Sequence, residues 1–326
     1  MAFRNERSPR REVDLNLFSH CVKDICHVFQ VESLKSGQCD ALYNFMQNTD
    51  VFVNMPTGSG KSLVFHLALL AEMWMYSHAP NANIWTKEPI IIIISPLITL
   101  MKDQVKRLNE IGLKAACVGC EETERGMFML PESCLSNQRW RFVLERKIYQ
   151  DRLIGIVVYE AHYVVEWGTS SNNKRKTAFR VWYSKLNELK SLIGCDIPFL
   201  ALTATATKKT KQKIFDILEI SNPYEISEDP NRPNILYTVE KMDGPKIFCD
   251  GSTEPQMRLC EMMYSCSPES VKNHVLNQFS VAHSHLRVLI ATTAYGMVVN
   301  SKNVTRVIHF GPSKSVDARK WYVWKK

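Results

Sequence analysis

Short apolar runs alternate along this chain with longer segments in which apolar residues recur every three or four positions. Val51, Phe52 and Val53 predict a short strand, and residues 61–76 carry helical spacing. Residues 90–94 are an unbroken run of isoleucine, the pattern of a strand buried on both faces. Leu97, Leu100, Met101, Leu108 and Ile111 then mark one face of a helix. Residues 154–158 and 199–202 predict two further buried strands. Residues 207–220 predict a basic helix with Ile214, Ile217 and Leu218 inward. This alternation argues for an α/β fold built on a parallel sheet flanked by helices. Each predicted strand runs into a turn of polar or small residues, and ligands of open α/β sheets bind at such carboxyl ends.

The periodic part thins out past a polar, proline-containing stretch from Ser227 to Pro233, where a boundary is expected. A chain of 326 residues has room for two domains at roughly 150 residues each. The expected division is a basic N-terminal tail over 1–24, a first domain over 25–228 and a second over 229–326. Within the last, residues 287–291 and 304–310 are strand-like. Residues 240–286 number 47 where one βαβ unit takes roughly 30 or more, so the second domain reads as short.

Composition changes this picture little. Apolar residues make up 45% and charged residues 23%, as in ordinary globular proteins. The five-residue isoleucine run is far from the roughly 18 apolar residues of a spanning helix, so no membrane partner is expected. Residues 1–12 hold four arginines and no apolar core, unlike a secretion signal. Ten cysteines then read as reduced thiols. Cys117 and Cys120 alone have metal-like spacing, without the second pair that a zinc site needs. A formal charge of +8 permits a nucleic-acid partner without establishing one.

The clearest chemistry lies between the first strand and the first long helix, in Pro56-Thr57-Gly58-Ser59-Gly60-Lys61-Ser62. A glycine-rich turn leading from a strand into a helix is the setting of a phosphate-binding loop. The glycines let backbone N–H groups close on a phosphate, Lys61 reaches the β- and γ-phosphates, and the Ser62 hydroxyl is a candidate Mg²⁺ ligand. Met55 stands where the full pattern has its first glycine. Such loops serve kinases and transport ATPases as well, so the other strand ends must decide the chemistry.

Those ends read Ser95-Pro96-Leu97-Ile98-Thr99-Leu100-Met101-Lys102-Asp103-Gln104, then Tyr159-Glu160-Ala161-His162 with Trp167-Gly168, then Thr203-Ala204-Thr205. Gln38 precedes the loop. Pro131-Glu132, Asn231-Arg232-Pro233-Asn234, Ala291 to Met297 and Val307 to Gly311 follow in order. As an ordered set over residues 25–317, these stretches resemble the RecQ family of DNA helicases. The resemblance implies a P-loop NTPase fold with a RecA-like parallel sheet and a second RecA-like domain. ATP with Mg²⁺ would drive 3′→5′ unwinding of DNA, presented single-stranded or as a 3′-tailed duplex, in the nucleus or otherwise the cytoplasm.

Carried over residue by residue, Gln38 would read the adenine edge, and Thr57, Gly58, Ser59, Gly60, Lys61 and Ser62 would hold phosphate and metal. Glu160 would orient and deprotonate the attacking water. His162 would couple the nucleotide site to the DNA site, and Thr203 and Thr205 would link hydrolysis to the domain interface. Trp167, Phe179 and Arg180 match an aromatic-rich DNA-sensing loop, with residues 169–178 as an insertion containing Lys174 and Arg175. Aromatic planes among cations suit single-stranded DNA. Trp182 and Tyr183 read either as helix packing or as DNA contacts, and Lys208, Lys209, Lys211 and Lys213 as a solvated face or phosphate contacts.

Three departures qualify the resemblance. The family's metal-anchoring Asp is Tyr159, and a phenol of pKa about 10 is neutral at pH 7. Val298 replaces a glycine of the family's Gly-Met-Gly. The paired arginines that follow the matched region in the family are not found, so the second domain is expected to be incomplete. Impaired hydrolysis is the expectation, with a non-catalytic nucleotide- and DNA-binding helicase remnant, or a fragmentary gene product, as the alternative.

Overall fold

Phe18, Cys21 and Ile25 recur at helical spacing, and in the computed structural model they are the buried face of a helix, Leu15–Cys26 (α1). The Asp14 side chain caps it by accepting from Leu17 N at 2.8 Å. The expected boundary at residue 24 thus falls inside α1, whose apolar stripe directly follows the arginine-rich start. The structure describes residues 11–81, 84–96, 98–118, 126–169, 178, 180–193, 197–229, 260–263, 267–281, 284, 286 and 288–291. The chain divides into two units, Met1–Pro230 and Asn231–Lys326.

In the first unit α1 is followed by α2 (Ser36–Met46), β1 (Val51–Asn54), α3 (Lys61–His78), β2 (Ile90–Ile94) and α4 (Ile98–Glu110). Next come β3 (Ala115–Cys117), β4 (Gly126–Met129), the short helices α5 (Pro131–Leu135), α6 (Gln138–Leu144) and α7 (Lys147–Gln150), and β5 (Leu153–Tyr159). The unit closes with α8 (His162–Glu166), α9 (Glu188–Ile193), β6 (Phe199–Thr203), α10 (Lys208–Leu218) and β7 (Tyr224–Ser227). The strands form one sheet in the order β3-β4-β2-β5-β6-β1-β7, and every neighbouring pair is parallel. This is the expected α/β architecture of a parallel sheet with flanking helices.

The four strands read from apolar runs are its centre, buried nearly end to end, as a sheet covered on both faces requires. On α10 the inward residues are Ile214, Phe215 and Leu218, so Phe215 takes the inner position expected of Ile217. At the base of the core, Arg11 grips the 2%-exposed Glu72 side chain of α3 at 2.9 and 2.8 Å, and Thr86 N adds a third bond at 3.0 Å. Burial pushes the Glu72 pKa up, against the opposing pull of Arg11.

Gly155 lies where the β2–β5 register shifts. A Cβ there would strike the Phe45 ring of α2 and stand 3.1 Å from Pro198 O, which accepts from Ile156 N. Gly155→Ala is therefore expected to cost about 1–3 kcal/mol through overpacking. Urea unfolding checks this, and an unchanged midpoint would refute it.

In the second unit β8 (Cys260–Met263) and β9 (Val288–Ala291) pair in parallel on either side of α11 (Glu269–Ser280). The strand expected at 304–310 lies outside the described residues.

Candidate nucleotide site and its link to a nucleic-acid face

The loop between β1 and α3 is anchored at the carboxyl edge of the sheet, where Met55 N donates to Thr203 O at 3.1 Å. Gly58 and Gly60 hold φ near +88° and +87°, the left-handed region where a side chain is strained. A Cβ on Gly60 would also sit 2.5 Å from Gln38 Nε2. Thr57 and Ser59 lie within this turn, and Ser62 is half-buried in the first turn of α3.

Lys61 begins α3 and is 5% exposed. Its Nζ donates to Met55 O at 2.9 Å and Pro56 O at 3.1 Å, so the ammonium is folded onto the loop that a phosphate would fill. Gln38, in the first turn of α2, donates from Nε2 to Ser59 O at 3.0 Å and Gly60 O at 3.2 Å, while its Oε1 accepts from Lys35 N. Its amide braces the loop. Three buried hydroxyls at this edge, of Ser59, Ser95 and Thr205, take no hydrogen bond among the described residues. Buried polar groups seldom stay so without water or a ligand.

Beyond β5 the backbone turns sharply. Glu160 adopts φ +55°, a conformation uncommon outside glycine, and is 7% exposed. Its carboxylate lies 3.6 Å from His162 Nδ1, and the same nitrogen lies 3.1 Å from Thr203 Oγ1. Thr205 N in turn donates to Thr203 Oγ1 at 3.3 Å. Burial, and secondarily the Lys61 ammonium, push the His162 pKa down to about 3, so the ring is neutral and its contact with Glu160 is not an ion pair. Glu160, His162, Thr203 and the Thr205 amide thus lie in a row, hydrogen-bonded from His162 onward, with the Glu160 carboxylate 3.6 Å from the ring nitrogen. The row joins β5 to β6, which pair directly.

The expected metal can be tested against these donors. Magnesium takes hard oxygens, anionic ones above all. The strand ends offer the Ser62 hydroxyl, the Glu160 carboxylate beside His162, and the phenol of Tyr159. Burial, then the charges of Glu160 and Asp103, push the Tyr159 pKa well above its ordinary value, so it stays neutral. Among the described residues no group of three His, Cys, Asp or Glu side chains is arranged to hold a metal. The set fits nucleotide phosphates. It does not fit a tightly anchored Mg²⁺.

Trp167 caps α8, and Arg180 folds against it. The guanidinium lies 5.2 Å from the indole centre, and Arg180 N donates to Trp167 O at 2.9 Å. Arg180 Nη1 also donates to Pro96 O at 3.0 Å, and Nε lies 3.7 Å from Glu132. One side chain thereby joins the turns after β2, β4 and β5. Tyr183 is 1% exposed with its ring edge-on to Trp167, so of its two readings the structure gives packing. Phe179, Lys174 and Arg175 lie outside the described residues. Thr207 caps α10 by accepting from Thr210 N, and Lys208, Lys209 and Lys213 are exposed.

Sequence reasoning did not single out Asn54. Its side chain donates to Ala206 O at 3.2 Å and accepts from Ala206 N at 3.4 Å, tying the Thr203–Thr205 turn to β1. A polar residue closing an apolar strand was the available signal.

A model of the DEAD/DEAH box helicase family matches residues 35–214, more than half of the chain. The chain belongs to that family. Its curated relatives are helicases of the RecQ group. ATP-dependent helicase SGS1 of Saccharomyces cerevisiae is 29% identical over 89% of this chain and 21% of its own length. RecS of Bacillus subtilis, a probable ATP-dependent DNA helicase, is also 29% identical, over 89% and 61%. RecQ of Haemophilus influenzae is 26% identical over 89% and 48%. The chain thus spans between about a fifth and three fifths of these helicases. Among solved structures, the DUF1998 helicase MrfA bound to DNA superposes with TM-score 0.58 at 12% identity, covering 90% of this chain and 47% of that one. Dbp5 of S. cerevisiae, bound to RNA and ADP BeF3, superposes with TM-score 0.54 at 12% identity over 85% and 74%. These two likenesses show the RecA-like fold of the helicase domain.

Proposed function

We propose that this chain is a RecQ-like, ATP-dependent 3′→5′ DNA helicase core whose nucleotide site binds ATP but turns it over slowly. The observation that carries this reading is the polar row Glu160–His162–Thr203–Thr205 beside the Lys61 loop. It supplies a carboxylate for the attacking water and a neutral imidazole whose Nδ1 lies between the Glu160 carboxylate of the turn after β5 and the Thr203 hydroxyl of β6. Gln38 braces the loop and stands at the adenine side, while the loop N–H groups, Lys61 and Ser62 hold phosphate. Arg180 connects the Trp167 indole to the turn holding Pro96, the route by which DNA stacked near Trp167 would act on the site. Lys174, Arg175 and Phe179 follow Trp167 in the family's DNA-sensing segment and are proposed to bind the same strand. Single-stranded or 3′-tailed DNA is the partner, the nucleus the site of action, and the two units that divide at Pro230 the two helicase domains.

Tyr159 favours a second reading, a nucleotide- and DNA-binding helicase relative without turnover, because it removes the carboxylate on which metal-assisted transfer depends. Phosphate release with and without single-stranded DNA separates the two. Slow turnover that DNA stimulates, abolished in Glu160→Gln and raised about 10-fold or more in Tyr159→Asp, supports the helicase core. No turnover in either protein supports the binding relative. Robust turnover that survives Glu160→Gln would overturn the roles assigned here.

A further inference from the structure

The departure at Tyr159 has a positive counterpart in where its side chain lies. Val53, Ile93, Val157 and Leu202 face the core shared with α3, and Tyr159 continues that face two residues beyond Val157. Its ring packs edge-on against Phe65 at 5.9 Å. Phe65 is one helical turn beyond Lys61 and Ser62, so the ring packs on the second turn of the phosphate-loop helix, and the charges that reach the phenol are those of Glu160 and Asp103. The backbone then swings away at Glu160, whose φ is +55°.

Charge at this edge differs from that of a site built for a metal–nucleotide complex. Lys61 is positive, Glu160 negative, and Tyr159 and His162 neutral. Asp103, whose charge also reaches the phenol, is exposed to water on α4. A pair of carboxylates at 159 and 160 would repel the four negative charges of ATP unless a cation intervened. A neutral phenol removes one of those two charges and adds an O–H donor. The buried Ser59 hydroxyl, without a partner among the described residues, adds another within the loop itself.

We infer that this site binds the free nucleoside triphosphate anion without a divalent metal, the Tyr159 hydroxyl donating to a phosphate oxygen in the metal's place. The inference rests on the nucleotide-binding reading above and specifies the form of ligand taken. Hydrogen bonds to charged oxygens contribute roughly 1.5–3 kcal/mol, about a tenfold or greater change in affinity when one is lost. Affinity with or without metal should therefore fall when this one hydroxyl is removed.

The test is calorimetric titration of the full chain with ATP in excess Mg²⁺ and again in EDTA. The wild type is expected to give dissociation constants within about threefold of each other. Tyr159→Phe, nearly the same shape, should bind about tenfold more weakly in both buffers. Tyr159→Asp should bind about tenfold or more weakly in EDTA than in Mg²⁺. Thermal unfolding of each variant without nucleotide confirms folding. Wild-type binding that requires Mg²⁺ overturns the inference and leaves the nucleotide-binding reading standing, as does Tyr159→Phe binding as well as wild type. Binding in neither buffer overturns the nucleotide-binding reading itself.

Discussion

Lys61→Ala is expected to weaken ATP binding by two orders of magnitude or more, with or without Mg²⁺. The ammonium is 5% exposed and satisfied by two loop carbonyls, so its desolvation is already met in the absence of ligand. An incoming phosphate exchanges neutral acceptors for charged oxygens and adds the Coulombic attraction of the ammonium for the triphosphate, and about 2.8 kcal/mol of net gain is two decades of affinity at about 1.4 kcal/mol each. Lys61→Arg should not rescue, because a planar guanidinium cannot occupy the point between Met55 O and Pro56 O that a compact ammonium fills. Both variants should stay folded, since α3 is held by Val64, Phe65, Leu67, Ala68 and Ala71 in the core. Titration with ATP next to a thermal melt separates the two effects, and a Lys61→Ala protein that binds within threefold of wild type would refute the assignment.

The phosphate loop is legible in the sequence because its chemistry is contiguous. Seven adjacent residues carry the turn, the cation and the hydroxyl. The four central strands are equally legible, since strands covered on both faces are written as unbroken apolar runs. The rest of the sheet is not. β3 has three residues, too few for a period to show, and β7 buries Ile226 alone among four, as a strand at the sheet's edge can. Helical spacing places the start of α3 at residue 61, although the helix buries residues around much of its circumference and its stripe is broad. The meeting of His162 with Thr203 joins residues 41 apart and follows only from β5 and β6 being neighbours. Family pattern pairs Arg180 with Trp167 across an intervening segment. That Arg180 also reaches Pro96 and Glu132 has no trace in spacing, because those contacts depend on where β2 ends and α5 begins.

Stability is expected to fall steeply between pH 7 and pH 5, owing to two buried histidines. His66 on α3 is 1% exposed and stacked on Phe29 at 5.6 Å, and burial, then Arg107, push its pKa down to about 3 despite a favourable contact with Gln104. His162 is pushed down to about 3 as well. In the unfolded chain both bind protons below about pH 6.5, whereas the native state holds them neutral. The unfolded state therefore takes up more protons across the window from 6.5 to 3, and stability rises with pH there and is complete above it. Each histidine contributes roughly 1.4 kcal/mol per pH unit, so the pair should cost about 4 kcal/mol by pH 5. Glu72 acts in the opposite sense: its native pKa is raised, so its protonation favours the fold as pH falls, and it offsets part of the loss near pH 5. Replacing His66 by Gln or His162 by Asn removes one titrating ring and should roughly halve the slope of unfolding free energy against pH, whatever the variant costs at neutrality. Saturating ATP should flatten the wild-type slope as well. Phosphate beside Lys61 cancels part of the charge that keeps His162 unprotonated, which brings its native pKa closer to the unfolded value. Urea unfolding at half-unit intervals of pH measures all three. A wild-type slope that neither substitution alters would place the acid sensitivity elsewhere in the molecule.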